Sequence, residues 1–339
     1  LMTAGLGAGI GAIFHAPLAG AIFAAEVLYR DPDFEAEALI PAFISTTIAY
    51  CVFCLVFGFQ PLFEVKAIGF NQPLLLLPLA VLAGVMVVMS WAYIHCFYGI
   101  TALFRKLPVP KMIKPAIGAG ATGLFAVGLY YIIKSYGRDD LAYEGLSVLS
   151  FGYGFLQHVL TDPTRMTAAV LLAVGLGKIL TTSLTIGSGG SGGVFGPSMV
   201  IGGALGAVVG MLFHKWTPGL VTQDQLPMFA ILGMASFFAA TACTPVSTLI
   251  MVSEMTASYT LLLPSMWVCA LAYLLNRRQT IYHEQVANRL ESAAHRGDFI
   301  IDVLKGLRVA DALHDAARDF VNVPLGMPLH DMAHLIPMT

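Results

Sequence analysis

The chain has 339 residues, of which 57% are hydrophobic and only 11% charged, where an ordinary soluble domain carries roughly 25% charged residues. Eighteen Lys plus Arg against twenty Asp plus Glu leave a formal net charge of -2. With no basic stripe in the apolar two thirds of the chain, this balance argues against nucleic acid as a partner.

In chain order, the sequence opens on Leu1 in mid-hydrophobic sequence with no charged start and no cleavable signal pattern, so it is expected to be part of something longer. A hydrocarbon core of ~30 Å needs about 20 apolar residues to cross it. Leu1 to Leu28 is apolar but interrupted by Pro17 and reads as a broken helix. Full spans are expected over Leu39 to Phe59, Pro73 to Phe104, Pro115 to Ile133, Thr167 to Ile186 and Val194 to Phe213. Met228 to Leu275, interrupted by Pro245 and Pro264, reads as a second broken stretch. Cys51, Cys54, Cys96, Cys243 and Cys269 lie inside these apolar segments with no His or Asp at ligand spacing, and read as small buried hydrophobes. No metal site is expected.

Arg105, Lys106, Lys111 and Lys114 crowd one connection, and Arg277, Arg278 and Arg289 follow the last apolar run, whereas Asn71 to Phe104 carries no charge. The positive-inside bias makes both regions cytoplasmic, with Gln60 to Gln72 outside and Tyr29 to Glu37 inside with the C-terminus. From about Asn276 charged residues increase and a soluble segment begins. Helices are expected over Ile281 to His295 and Leu304 to Asp319, then an extended stretch at Phe320 to Val323, a Pro-Leu-Gly turn and a further helix start near Pro328. Residues 1–295 are thus expected to form the membrane domain and 296–339 a linker and the start of a soluble module.

An internal repeat organises the apolar part. At an offset of 228, Gly5 meets Gly233, Ala12 meets Ala240, Pro17 meets Pro245, Ile22 meets Ile250 and Glu26 meets Glu254. Each copy is a small-residue helix stopped at a proline, then a second helix with a glutamate nine residues on. Ionisable groups inside a membrane are expensive and are usually functional or paired. The match of Glu26 with Glu254 points to a shared structural role, accepting hydrogen bonds near helix ends, rather than to proton carriage. His15, beside the first break, reads as a packing histidine.

Repeated halves with interrupted helices are how many transporters aim half-helix N-termini at an anion near the bilayer midplane. The strongest candidate here is Gly187-Ser188-Gly189-Gly190-Ser191-Gly192-Gly193-Val194-Phe195-Gly196-Pro197, a glycine-rich turn opening an apolar helix. Its uncovered backbone N–H groups and the positive end of the following helix make an anion nest without a charged side chain. A nucleotide P-loop is excluded because no Lys follows the glycines. No H-E-x-x-H, G-x-S-x-G or paired-Asp motif occurs in the spans, so an enzyme is not expected. A cation pathway would want more carboxylates than Glu26 and Glu254, and a scaffold gives no reason for a glycine nest between spans.

Gly192-Gly193-Val194-Phe195-Gly196-Pro197, the paired Pro17/Glu26 and Pro245/Glu254 helices, Ser253-Glu254-Met255-Thr256 and Tyr282 together resemble the CLC chloride channel and chloride/proton antiporter family. The resemblance implies an all-α membrane protein, an inverted-repeat bundle of tilted and broken transmembrane helices with the first repeat incomplete. It also implies a homodimer with one pore per subunit. Carried over by residue, the amides of Val194 and Phe195 would hold a central chloride ion and the Tyr282 hydroxyl would donate to it. The tail, Leu307 to Met338, resembles the opening of an α/β CBS domain, so adenine nucleotide at a full CBS pair is possible, with no other cofactor expected. The family's G-S-G-I-P and G-[RK]-E-G-P motifs do not occur, and the repeat partner of Val194 falls ahead of residue 1. Antiporters of the family generally carry a second acid after the glutamate matching Glu26; Val27 stands there. The sequence therefore reads as uncoupled anion conduction, with chloride/proton antiport, or selectivity for fluoride or nitrate, as alternatives.

Overall fold

The computed structural model describes residues 1–66, 68–136, 138–292, 294–295 and 326–328. The chain divides into two compact units, Leu1–Arg289 and Leu290–Thr339. The helix expected over Leu304–Asp319, the extended stretch Phe320–Val323 and nearly all of the CBS-like tail lie outside the described residues.

Among the described residues of the first unit the α-helices are α1 (Met2–Ile13), α2 (Pro17–Glu26), α3 (Ala36–Phe57), α4 (Leu76–Lys106), α5 (Lys114–Ser135), α6 (Asp139–Ala142), α7 (Tyr153–Thr161), α8 (Ala168–Gly187), α9 (Phe195–Trp216), α10 (Leu226–Ala242), α11 (Pro245–Met255) and α12 (Leu262–Asn276). The five uninterrupted spans expected from hydropathy appear as α3, α4, α5, α8 and α9. Two more helical stretches long and apolar enough to cross a bilayer, Gln223–Ala242 and Tyr259–Asn276, come from the second broken run. The interruption there falls at Pro245 and at Thr256–Ser258, where Ala257 adopts φ 49°. Pro264 does not break anything: it sits in the first turn of α12, where its missing N–H has no intrahelical partner to lose.

At the centre, α10 is buried along almost its whole length and α9 from Ser198 to Gly210, while α3 and α5 present Ile44, Ile48, Val52, Leu124 and Val127 outward. Such an inside-out gradient of apolar exposure suits a lipid solvent. The α9–α10 contact is a backbone-to-backbone approach. A Cβ on Gly233 would meet the Gly202 carbonyl oxygen and, at 2.8 Å, the Gly206 Cα. Gly202, Gly206 and Gly210 are spaced four apart and form one stripe, the small-x-x-x-small pattern that lets membrane helices pack where no hydrophobic force separates lipid from protein.

One expected helix is absent. From Ile281 to Ser292 the chain runs as a non-helical strap, with a turn closed by Gln285 N–H on Tyr282 O and a 3-10 turn at Arg289–Glu291. Its backbone is engaged elsewhere: Ile281 N–H donates to Thr241 O at 2.9 Å, while Val286 O and Ala287 O accept from Arg30 and Asp31 at 2.9 Å each. Arg289 N–H donates to Asp33 Oδ2 at 2.9 Å and its guanidinium to Glu37 Oε1 at 2.8 Å. Carbonyls committed to the Tyr29–Asp33 loop cannot also close i to i+4 helical bonds. The strap and the Tyr29–Glu37 connection therefore lie on the same side of the bundle.

Candidate functional site

The repeat is a repeat of backbone geometry. Ala16 and Thr244, the residues before Pro17 and Pro245, adopt φ/ψ of -133/69° and -126/68°, clear of the helical region that a following proline disfavours. One residue earlier, His15 and Cys243 both hold positive φ, 53° and 56°, a conformation costly for residues with a Cβ. The two breaks face opposite ends of the bundle. His15 Nδ1 bonds Gln60 O at 2.7 Å, beyond the end of α3, whereas Cys243 Sγ reaches Gln279 O at 3.5 Å, beside the strap. The 22 residues of α3 separate these ends by about 33 Å at 1.5 Å per residue.

Between the breaks, α2 and α11 lie antiparallel, and each helix's terminal glutamate covers the other's N-terminus. Glu26 accepts from Val246 N–H at 2.9 Å, Ser247 N–H at 2.7 Å and Ser247 Oγ–H at 2.5 Å. Glu254 accepts from Ala19 N–H at 2.9 Å and Leu18 N–H at 3.3 Å. Unpaired first-turn amides carry the positive end of the helix dipole, which a carboxylate satisfies in both charge and hydrogen bonding.

The N-terminus of α9 is different. The turn ahead of it is built by Gly189, with φ 97°, and by Gly190, where a Cβ would lie 2.5 Å from Thr185 O. Val194 makes no side-chain cap, and among the described residues no carboxylate accepts from the amides of Val194, Phe195 or Gly196. Pro197 in the first turn has no N–H to satisfy. Gly192, Gly193 and Pro197 line a cavity of about 260 Å³ together with Lys178, Thr181, Thr182 and Ser191. Lys178, 2% exposed, is not free to face this space as a bare charge: its ammonium donates to the carbonyls of Ser147 at 3.1 Å, Val148 at 3.3 Å and Ser150. Those bonds cover carbonyls at the end of the short 3-10 helix Tyr143–Val148.

Phe195 carries the start of α9 into the core, its ring 4.2 Å from Phe14 and 4.7 Å from Phe238. Phe238 in turn stacks on Phe23 at 5.9 Å. On the far side of Phe23 a cavity of about 310 Å³ is lined by Val27, Leu28, Tyr282, Glu284 and Gln285. Phe195 and Phe23 thus meet through Phe238, and Phe23 lines the cavity that also holds Val27 and Tyr282. Tyr93, in mid-α4, also belongs here: it is 0% exposed, its hydroxyl has no hydrogen-bond partner among the described residues, and its polar neighbours are Ser198 in the first turn of α9 and Tyr282. Neither Tyr93 nor Lys178 stood out in the sequence reading. The available signal was a single polar side chain inside an apolar span.

A family model described as voltage gated chloride channel matches residues 1–277. The chain is 29% identical over 285 residues to an uncharacterised protein of Methanocaldococcus jannaschii, covering 83% of this chain and 64% of that one. It is 27% identical over 294 residues to a voltage-gated ClC-type chloride channel of Citrobacter koseri, covering 84% and 64%. Against an H(+)/Cl(-) exchange transporter of Vibrio cholerae it is 29% identical over 276 residues, covering 78% and 53%. The chain therefore spans less than two thirds of the length of these relatives. Among solved structures, a CLC-type fluoride/proton antiporter superposes with a TM-score of 0.65 at 24% identity, covering 83% of this chain and 64% of that one. A slow cyanobacterial Cl-/H+ antiporter gives 0.63 at 20%, covering 83% and 62%. With the family model matching most of its length, the chain belongs to the voltage gated chloride channel family.

Proposed function

We propose that this chain forms the anion-binding part of a multi-pass membrane transporter whose substrate is chloride. One observation carries the reading: α2 and α11 have their first amides taken by carboxylates, whereas among the described residues no carboxylate accepts from the first amides of α9. An ion held by N–H and O–H donors must be an acceptor, as a halide is, and a site without a fixed cation lets it leave. Gly192, Gly193, Val194, Phe195, Gly196 and Pro197 shape this end, Val194 and Phe195 supply the amides, and the Tyr282 and Tyr93 hydroxyls supply the phenolic donors. The strap side of the bundle is cytoplasmic on the positive-inside bias, and the assembly is a homodimer by likeness to the family.

The finer reading is uncoupled conduction, because Val27 cannot carry a proton. Proton-coupled exchange is supported by a separate observation: Glu284 lines the same cavity as Val27 and Tyr282, so a carboxylate is present there from another segment. The test is chloride efflux from liposomes holding the full-length protein, under a potassium/valinomycin clamp with external pH recorded. Efflux without proton movement is the expected result. Stoichiometric proton uptake would establish exchange and direct attention to Glu284, and absence of chloride flux would overturn the chloride assignment in favour of fluoride or nitrate.

Tyr282→Phe and Tyr93→Phe each remove one hydroxyl and nothing else. Each is expected to weaken chloride binding about tenfold, the worth of one hydrogen bond to a charged partner. Calorimetric titration of chloride into the detergent-purified protein reads this directly. Wild-type affinity in both variants would remove the phenols from the site.

A further inference from the structure

On the strap side, a cavity of about 530 Å³ opens between α4, the loop after α2 and the strap, far larger than a monatomic ion needs. Four basic side chains line it, Arg30, His95, Arg278 and His283, and no carboxylate does. Neither arginine pairs with a carboxylate among the described residues.

Two of the four side chains, and the backbone of a third, are held in place. The Arg30 backbone is fixed at both ends, its N–H donating to Val286 O at 2.9 Å and its carbonyl accepting from Tyr273 O–H at 3.1 Å. His95 donates through Nδ1 to Trp91 O at 2.8 Å, with the two rings 4.3 Å apart, which leaves Nε2 for a ligand. His283 stacks flat on Tyr98, with ring centroids 3.5 Å apart and 7° between planes, and Tyr98 is itself fastened by its hydroxyl to Ile281 O at 2.6 Å. Side chains ordered before a ligand arrives spend less of its binding energy on ordering them.

Gln279 and Gln285 line the same cavity, and each has a buried side-chain oxygen that accepts no hydrogen bond among the described residues. The Gln285 amide cannot simply be turned over, since its Nε2 already donates to Val27 O at 2.8 Å and Ala242 O at 2.9 Å. Buried acceptors without donors call for a partner. Guanidinium forks and imidazoles suit a phosphate dianion; orphaned amide oxygens suit hydroxyl groups. A halide would answer only the first need.

We infer that this cavity binds an organic phosphate bearing hydroxyl groups, either a soluble nucleotide or sugar phosphate or the headgroup of an inositol phospholipid. Such a ligand grips Arg278 just ahead of the strap and His283 on it, immediately after Tyr282, and holds Gln285 against Val27 and the end of α10. Resting on the transport reading, occupancy then slows anion flux by immobilising the strap.

The test uses the full-length protein in nanodiscs and the fluorescence of Trp91, whose ring abuts His95. The probes are AMP, inorganic phosphate, and nanodiscs made with phosphatidylinositol 4-phosphate or with phosphatidylcholine alone. A saturable change is expected with AMP or with the phosphoinositide, with inorganic phosphate at least tenfold weaker because it lacks the hydroxylated part. A response to AMP alone assigns the soluble source and a response to the phosphoinositide alone assigns the lipid. Arg278→Gln and Arg30→Gln are each expected to weaken the response at least tenfold, and Arg277→Gln, which does not line the cavity, to leave it unchanged. No saturable change with any probe, or equal responses in Arg278→Gln and wild type, overturns the proposal. Binding without chloride flux in wild type would sink the transport reading alone, and flux without binding would sink this site alone.

Discussion

Glu26→Ala is expected to destabilise the first unit by about 3 kcal/mol or more, since each buried donor left without a partner costs about 1–3 kcal/mol. The Glu26 carboxylate is 2% exposed and receives two backbone amides and a serine hydroxyl from the first turn of α11. With alanine there, those donors and the positive end of α11 face an apolar interior, and the full desolvation penalty is left unanswered. Glu254→Ala is expected to cost less, about 1–2 kcal/mol, the scale of a lost N-cap. Glu254 is only partly buried and receives two amides, one of them at 3.3 Å. Because the two carboxylates cap different helix starts and share no partner, the double variant should lose about the sum of the singles. Thermal unfolding in a fixed detergent measures all three. Unchanged melting of Glu26→Ala would dismiss the structural role and reopen Glu26 as a proton carrier.

Gly233→Ala is the second large effect, and its contrast with Gly5→Ala makes it sharp. The two glycines are the same position of the repeat, and on sequence they are interchangeable. At Gly233 an added Cβ meets backbone of α9, the Gly202 carbonyl and, at 2.8 Å, the Gly206 Cα. No flexible side chain is there to move aside, so the helices must separate. The expected cost is about 3 kcal/mol, the upper end of ordinary overpacking. At Gly5 nothing lies within 4 Å of the added methyl, and alanine is expected to be neutral or to add up to about 1 kcal/mol through helix propensity. Melting temperatures that move together in the two variants would contradict the asymmetry.

Much of the architecture was legible before any coordinates. Composition named the solvent, because a chain with so few charges has no other way to remain folded than among lipid tails. Hydropathy located the spans to within a few residues, since twenty apolar positions are a length requirement and not a matter of packing. Pro17 and Pro245 marked the helix breaks, because a proline disfavours the helical region for the residue before it, whereas Pro41 and Pro264 sit within helices, so the residue type alone did not say which prolines would break. The 228-residue offset exposed two related halves, and the glycine-rich run before Val194 exposed an uncapped helix start.

Other features were decided only when distant segments met. Ile281 to His295 has a helical pattern, yet Thr241, Arg30, Asp31 and Asp33 claim its backbone groups and hold it out of a helix. Nothing in the repeat said that Glu26 would cap α11 and Glu254 α2; that exchange depends on the two helices lying antiparallel, at positions more than two hundred residues apart. Tyr93 and Lys178 gained their places from neighbours on other helices, an unpartnered hydroxyl beside α9 and an ammonium spent on three carbonyls. Local rules determined where helices begin, end and enter the membrane, because solvent and backbone sterics act residue by residue. Which helix starts are covered by a carboxylate was settled by tertiary structure, because Glu26 and Glu254 reach α11 and α2 from more than two hundred residues away along the chain.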